Sequence, residues 1–179
     1  MANVSAGYIW GMRGLFAVVA LVILFLHLLP MQTAPGAWVG PDLLLALACA
    51  WVARRPEAAP TLLLACAFLI ADLLLQRPPG LWAALALLTT EALRGRADDF
   101  RDMSLLSELV VTCAFIAAFY LAYMALWALF VPFEIAYGLL ALQMALTLAV
   151  YPLVLVATAT LFALRRAAPD QLDAQGRPL

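Results

Sequence analysis

Very few side chains in this sequence could do chemistry, and most of those sit in or beside long apolar runs. They are His27, Asp42, Asp72, Glu91 and Glu108. An ionisable group at the centre of a membrane helix costs roughly 2.5–3.5 kcal/mol on insertion scales, so each needs a reason to be there. Asp72 lies in Ala71-Asp72-Leu73-Leu74-Leu75-Gln76-Arg77-Pro78-Pro79-Gly80. Gln76 follows it by four residues, a spacing that puts both on one helical face. That face could bind a partner or order the turn up to Gly80. A helix cap, or an Asp72–Arg77 pair that neutralises both, fits the same residues. Asp42 follows Pro41 at the start of an apolar run, where a carboxylate caps free N–H groups. Glu91 and Arg94 are spaced to pair, and Glu108 is expected to snorkel toward water.

A proton relay would need such carboxylates at one depth. Asp42 and Asp72 belong to one end of the runs, Glu91 and Glu108 to the other. His27, the single histidine, is expected to be a hydrogen-bonded interior residue rather than a ligand. The cysteines Cys49, Cys66 and Cys113 form no C-x-x-C pair and have no metal-ligand spacing, so they read as small buried hydrophobes and no cofactor or metal is expected. There is no G-x-S-x-G elbow, H-E-x-x-H, P-loop or G-x-G-x-x-G, which argues against an enzyme.

The elements that position these residues follow from composition. Hydrophobic residues make up 67% and charged residues 12% of 179 residues, with a mean hydropathy of +1.02. A soluble domain is about a quarter charged, so the solvent here is lipid. The net charge of −1, with no basic stripe, predicts no nucleic-acid partner. Six apolar runs are visible: Gly14–Leu29, Ala37–Ala53, Thr61–Leu75, Leu81–Leu93, Leu105–Val131 and Ile135–Leu164. The first is read as an uncleaved span rather than a signal peptide, because further runs follow. Runs two to four are short, and charge decides whether they cross.

All 10 basic residues are arginine. With six crossings, Arg13, Arg54, Arg55, Arg94, Arg96, Arg101, Arg165, Arg166 and Arg177 lie inside, and Arg77 alone violates the positive-inside rule. The expectation is an all-α polytopic membrane protein: one six-helix domain over residues 1–166, both termini cytoplasmic, and a disordered tail over residues 167–179. The charge cluster from Arg94 to Asp102 reads as a solvated loop. Pro152 should kink the last span. Tyr8, Trp10, Trp38, Trp51 and Trp82 read as interface anchors. Gly138, Thr147 and Ala157-Thr158-Ala159-Thr160 are candidates for close helix packing.

Several of these residues carry a family resemblance. Pro41-Asp42-Leu43 opens the second run and Ala71-Asp72-Leu73 lies in the third, followed by Gln76 and Gly80. Tyr151-Pro152 lies in the last run and Arg165-Arg166 ends it. In this order the motifs resemble the MreD family of rod shape-determining membrane proteins, in its alphaproteobacterial form. The turn at Arg77-Pro78-Pro79 is more proline-rich than in many members. The resemblance implies a bacterial inner-membrane protein without enzymatic activity. It implies that MreC is the partner, and that MreB filaments, RodA and a class B penicillin-binding protein belong to the same elongation machinery. It also implies a six-helix fold like the substrate-binding S components of energy-coupling-factor vitamin transporters. An S component is therefore the alternative function, with Asp42, Asp72 and Trp82 lining an outer pocket. As partner-binding or structural polar residues the resemblance marks Asp42, Asp72, Gln76 and Gly80, and it predicts that Asp72→Ala disturbs partner assembly more than folding.

Overall fold

The computed structural model describes residues 6–29, 39–130 and 137–161, and every regular element among them is helical. In chain order these are α1 (Ala6–Leu28), α2 (Leu43–Arg54), α3 (Thr61–Leu74), α4 (Leu81–Arg94), the short α5 (Asp99–Asp102), α6 (Leu105–Phe130) and α7 (Tyr137–Leu161), with a 3₁₀ turn at Pro56–Ala58 between α2 and α3. Three helices, α1, α6 and α7, are long and apolar enough to cross a membrane, which marks the chain as a membrane protein. The described residues exclude both termini, the predicted tail and Arg165-Arg166.

The remaining helices are short. At about 1.5 Å per residue, the 12 residues of α2 rise about 18 Å and the 14 of α3 and of α4 about 21 Å each. The 26 residues of α6 rise about 39 Å. α2 is apolar all round and is the centre of the bundle, with Leu44 through Ala53 all buried. A helix without a polar face has to be surrounded by protein or lipid, and here α1, α4 and α7 pack around it. α3 packs on α1 and α4, and α6 packs on α4 and α7.

Local signals set the ends. Asp42 caps α2 by accepting from the Leu45 N–H at 2.9 Å, and Pro56 follows the last turn, where the residue before a proline disfavours helix. Ser104 caps α6, its Oγ accepting from the Ser107 N–H at 3.2 Å. The turn between α3 and α4 is tighter than its spacing suggests. The Arg77 N–H bonds the Asp72 carbonyl at 3.0 Å, and Gln76 sits between them at φ +53°. This is a Schellman close with glutamine in the left-handed position usually held by glycine. Gln76 therefore leaves the helical path and points outward, exposed, and does not share the face of Asp72. Gly80, at φ +90°, opens α4. Because only glycine adopts a left-handed backbone without strain, Gln76→Gly is expected to raise stability by up to about 1 kcal/mol. Unfolding in detergent micelles checks this.

Other expectations are corrected. Trp51 and Trp82 are not interface anchors: both are fully buried. Trp51 meets the Phe16 ring edge-on at 5.5 Å. Tyr8 and Trp10 are exposed as anchors are, and Trp38 lies outside the described residues. Gly138 has nothing within 4 Å of a Cβ built on it, so it mediates no close approach, whereas Thr147 and Thr158 are buried. Pro152 needs no correction: it lies inside α7, and a helix accommodates a kink at a proline without being broken. Cys66 faces outward on α3, Cys113 is half-buried, and only Cys49 is buried. The Arg94–Asp102 segment folds back on the bundle, burying Ala97 and Phe100 and setting Arg96 over the Phe115 ring at 5.4 Å.

Candidate functional site

The polar residues collect at the two ends of the short helices. At one end Asp42, Asp72, Arg77 and Gly80 form a junction of α2, α3 and α4. Asp72 is completely buried. Its Oδ2 accepts from the Gly80 N–H at 3.0 Å and the Ala83 N–H at 3.2 Å. Those are the cap and third positions of α4, where free N–H groups need an acceptor. The carboxylate of α3 thus caps α4, a task an N-cap side chain normally does for its own helix. Its negative charge also suits the positive end of the α4 dipole.

Arg77 pairs with Asp42, not Asp72. Its Nη1 lies 3.4 Å from Asp42 Oδ2, and its guanidinium carbon stands 4.1 Å from the centroid of the Trp82 ring. An arginine over a tryptophan face is attracted by the ring quadrupole, more strongly when both are desolvated. The one arginine that the six-crossing expectation places outside is therefore paired with a carboxylate and lies over an aromatic ring. Asp42 has a third attachment. Its own N–H donates to Thr147 Oγ1 at 2.9 Å, while that hydroxyl donates to the Gln143 carbonyl at 2.7 Å. Tyr120 Oη lies 3.1 Å from the same hydroxyl. One residue so ties α2 to α6 and α7. Trp82 is the hub of an aromatic cluster, edge-on to Phe119 at 4.8 Å and Tyr123 at 4.7 Å.

A cavity of about 10 Å³ lies beside this junction, lined by His27, Asp42, Phe68, Arg77 and Trp82 among others. That is room for about one water. His27 contributes an edge, but it is exposed rather than interior, and its Nδ1 lies 3.1 Å from the Ile23 carbonyl of its own helix.

At the other end, Glu108 does not snorkel. It is completely buried, with Oε1 3.4 Å from Arg54 Nε. Fifty-four positions separate them in sequence, so no local spacing announces the pair. Glu91 and Arg94 pair at 3.2 Å as the spacing predicts. Arg94 also donates to the Pro56 and Ala59 carbonyls, at 2.6 Å and 2.5 Å. Thr61 donates to Glu91 at 2.7 Å, and Arg13 reaches the Glu57 carbonyl at 3.2 Å. Arginines thus bond the carbonyls of Pro56 and Glu57 in the 3₁₀ turn and of Ala59 just after it.

Of the predicted site residues, Asp42, Asp72 and Gly80 come together, Gln76 faces away, and Pro152 lies elsewhere, beside an open apolar groove of about 600 Å³ lined by Arg54, Leu105, Leu109 and Leu155. Sequence reasoning missed Thr147 as the partner of Asp42, Tyr120 as a second partner of that Thr147 hydroxyl, and Arg54 as a partner of Glu108. Among the described residues no three His, Cys, Asp or Glu side chains gather as a metal site would require. No protein-family model, curated protein or solved structure matches this chain.

Proposed function

We propose that this protein is a non-catalytic membrane scaffold of the bacterial cell-wall elongation machinery, a multi-pass protein of the inner membrane that binds MreC. RodA, a class B penicillin-binding protein and MreB filaments belong to the same assembly in this reading. The observation that carries it is the convergence of the motif residues. Asp42 meets Asp72 and Gly80, which lie much further along the chain, in one junction. The two oxygens of Asp42 cap α2 and hold Arg77, and Oδ2 of Asp72 caps α4, while the buried Oδ1 of Asp72 has no hydrogen-bond partner. Such an arrangement fixes the mutual position of helices and suits a protein whose task is to present a rigid surface.

The S-component alternative requires an outer pocket able to hold a vitamin. The cavity beside Asp42 and Trp82, at about 10 Å³, is far below the roughly 300–1,000 Å³ of small-molecule sites. Six crossings, with the Arg54 end of the bundle cytoplasmic, complete the reading on the charge pattern.

Affinity capture of the tagged protein from its native membrane, with mass spectrometry of the co-purifying proteins, tests this function. MreC together with wall-synthesis enzymes is the expected result. Recovery of transporter ATPases with a coupling subunit would overturn the scaffold reading.

A further inference from the structure

We infer that the α3–α4 face of this protein meets a locally thinned bilayer, while α6 meets one of full thickness. The inference rests on the crossing topology proposed above. Its starting point is where the lipid-facing surface of α3 must end. Leu62, Leu69, Ile70 and Leu73 are exposed along one side of that helix, and Leu88 continues the apolar face on α4. Beyond Leu62 the chain is a 3₁₀ turn with exposed Glu57, tied to Arg94. Beyond Leu74 come the left-handed Gln76 and the turn through Pro78-Pro79-Gly80, with Gln76 and Pro79 exposed.

Irregular backbone facing lipid does not occur within the hydrocarbon, because its N–H and C=O groups find no partner there. Both ends of α3 therefore have to reach the polar interface. From Thr61 to Gln76 the helix rises about 22 Å, against a hydrocarbon core of about 30 Å. Tilt shortens the projection further. The shortfall of about 8 Å is met by the lipid, which thins around a short hydrophobic surface.

α6 has no such limit. Trp82, in the first turn of α4, packs edge-on against Phe119 and Tyr123. Leu121 is thus level with the Asp72 end of α3, within about one helical turn. From there α6 continues as an apolar helix to Phe130, with Leu129 exposed. From Glu108, level with Arg54 at the far end, to Leu129 is about 32 Å, which matches an unperturbed core. The step between the two sides therefore lies at the Asp42 end, the side of the outer leaflet.

The two positions at one level make a direct test. Leu73 and Leu121 are both exposed, one on each side of the step. Single cysteines Leu73→Cys, Leu121→Cys and Gln76→Cys are placed in a chain carrying Cys49→Ala, Cys66→Ala and Cys113→Ala. A membrane-impermeant maleimide is then added outside intact cells. The reagent needs a thiolate, which forms only at water, so labelling of Leu73→Cys is expected to be at least about tenfold faster than of Leu121→Cys. Gln76→Cys, in the turn, is expected to label in every case where α3 crosses. If Gln76→Cys reacts while Leu73→Cys is as slow as Leu121→Cys, the bilayer is flat there and the inference is wrong. Equal, fast labelling of both leucine positions would also overturn it, since the boundary would then be uniform round the bundle. If Gln76→Cys reacts only after the membrane is opened, the crossing topology itself fails, and the inference with it.

Discussion

Replacing Glu108 with leucine is expected to destabilise the fold by about 3–5 kcal/mol, the cost of removing one member of a buried ion pair. Glu108 is completely buried and the Arg54 side chain is 7% exposed, so neither charge can be screened by water. The same argument gives a second, opposite result. Replacing both residues with apolar ones of similar size, Arg54→Met with Glu108→Leu, removes the desolvation cost along with the attraction. Such exchanges of a whole buried pair are often neutral or stabilising. The double variant is therefore expected to recover most of the loss, to within about 1 kcal/mol of the parent chain. Equilibrium unfolding of the four proteins of this cycle in mixed micelles measures the coupling. Additive losses would show that the two side chains act independently.

The second large effect belongs to Asp72. Asp72→Ala strips the acceptor from the Gly80 and Ala83 N–H groups. A buried donor left without a partner costs about 1–3 kcal/mol, and the loss of a cap about 1 kcal/mol. An overall loss of about 2–4 kcal/mol is expected for the two bonds together. Asp72→Asn keeps a carbonyl oxygen for the Gly80 and Ala83 N–H groups, gives up the charge on the α4 dipole and puts an amide NH2 at the place of the buried, unpartnered Oδ1. It is expected to retain all but about 1 kcal/mol. This runs against the expectation drawn from the resemblance, that the alanine variant disturbs assembly more than folding, because the alanine variant loses the cap on α4. The asparagine variant separates the two. If it folds like the parent chain but fails to co-purify with MreC, the carboxylate has a role at the partner beyond capping α4.

What could be read in the sequence was local. The cap at Asp42, the Glu91–Arg94 pair and the extents of α6 and α7, to within a few residues, all follow from signals inside one helix. The brevity of α2, α3 and α4 was visible in run length and in the prolines between them. What could not be read depends on contacts between distant segments. Nothing near Glu108 points to Arg54. Nothing near Asp42 points to Thr147, 105 positions away. The tryptophans misled because a ring near a helix end suits an interface and a helix junction equally well, and only the packing of α1 and α6 decides between them. Gln76 misled for a different reason. A four-residue spacing marks one face only while the helix lasts, and the turn to α4 ends it one residue earlier.

The fastenings of α2 have a consequence for how the protein is made. A helix of 12 residues falls short of the about 20 that hold a segment in a membrane by hydrophobicity alone. Its remaining attachments are supplied by residues made later: Arg77 for Asp42, Glu108 for Arg54, and Thr147 for the first turn. In the crossing topology proposed above, α2 is therefore made before these attachments exist, with only α1, through Phe16 against Trp51, already there to hold it. Its insertion becomes secure only when α7, the last of these helices, docks against it. The innermost helix of the finished bundle is in this sense the last to be settled, and a chain that stops short of α7 lacks its final clasp.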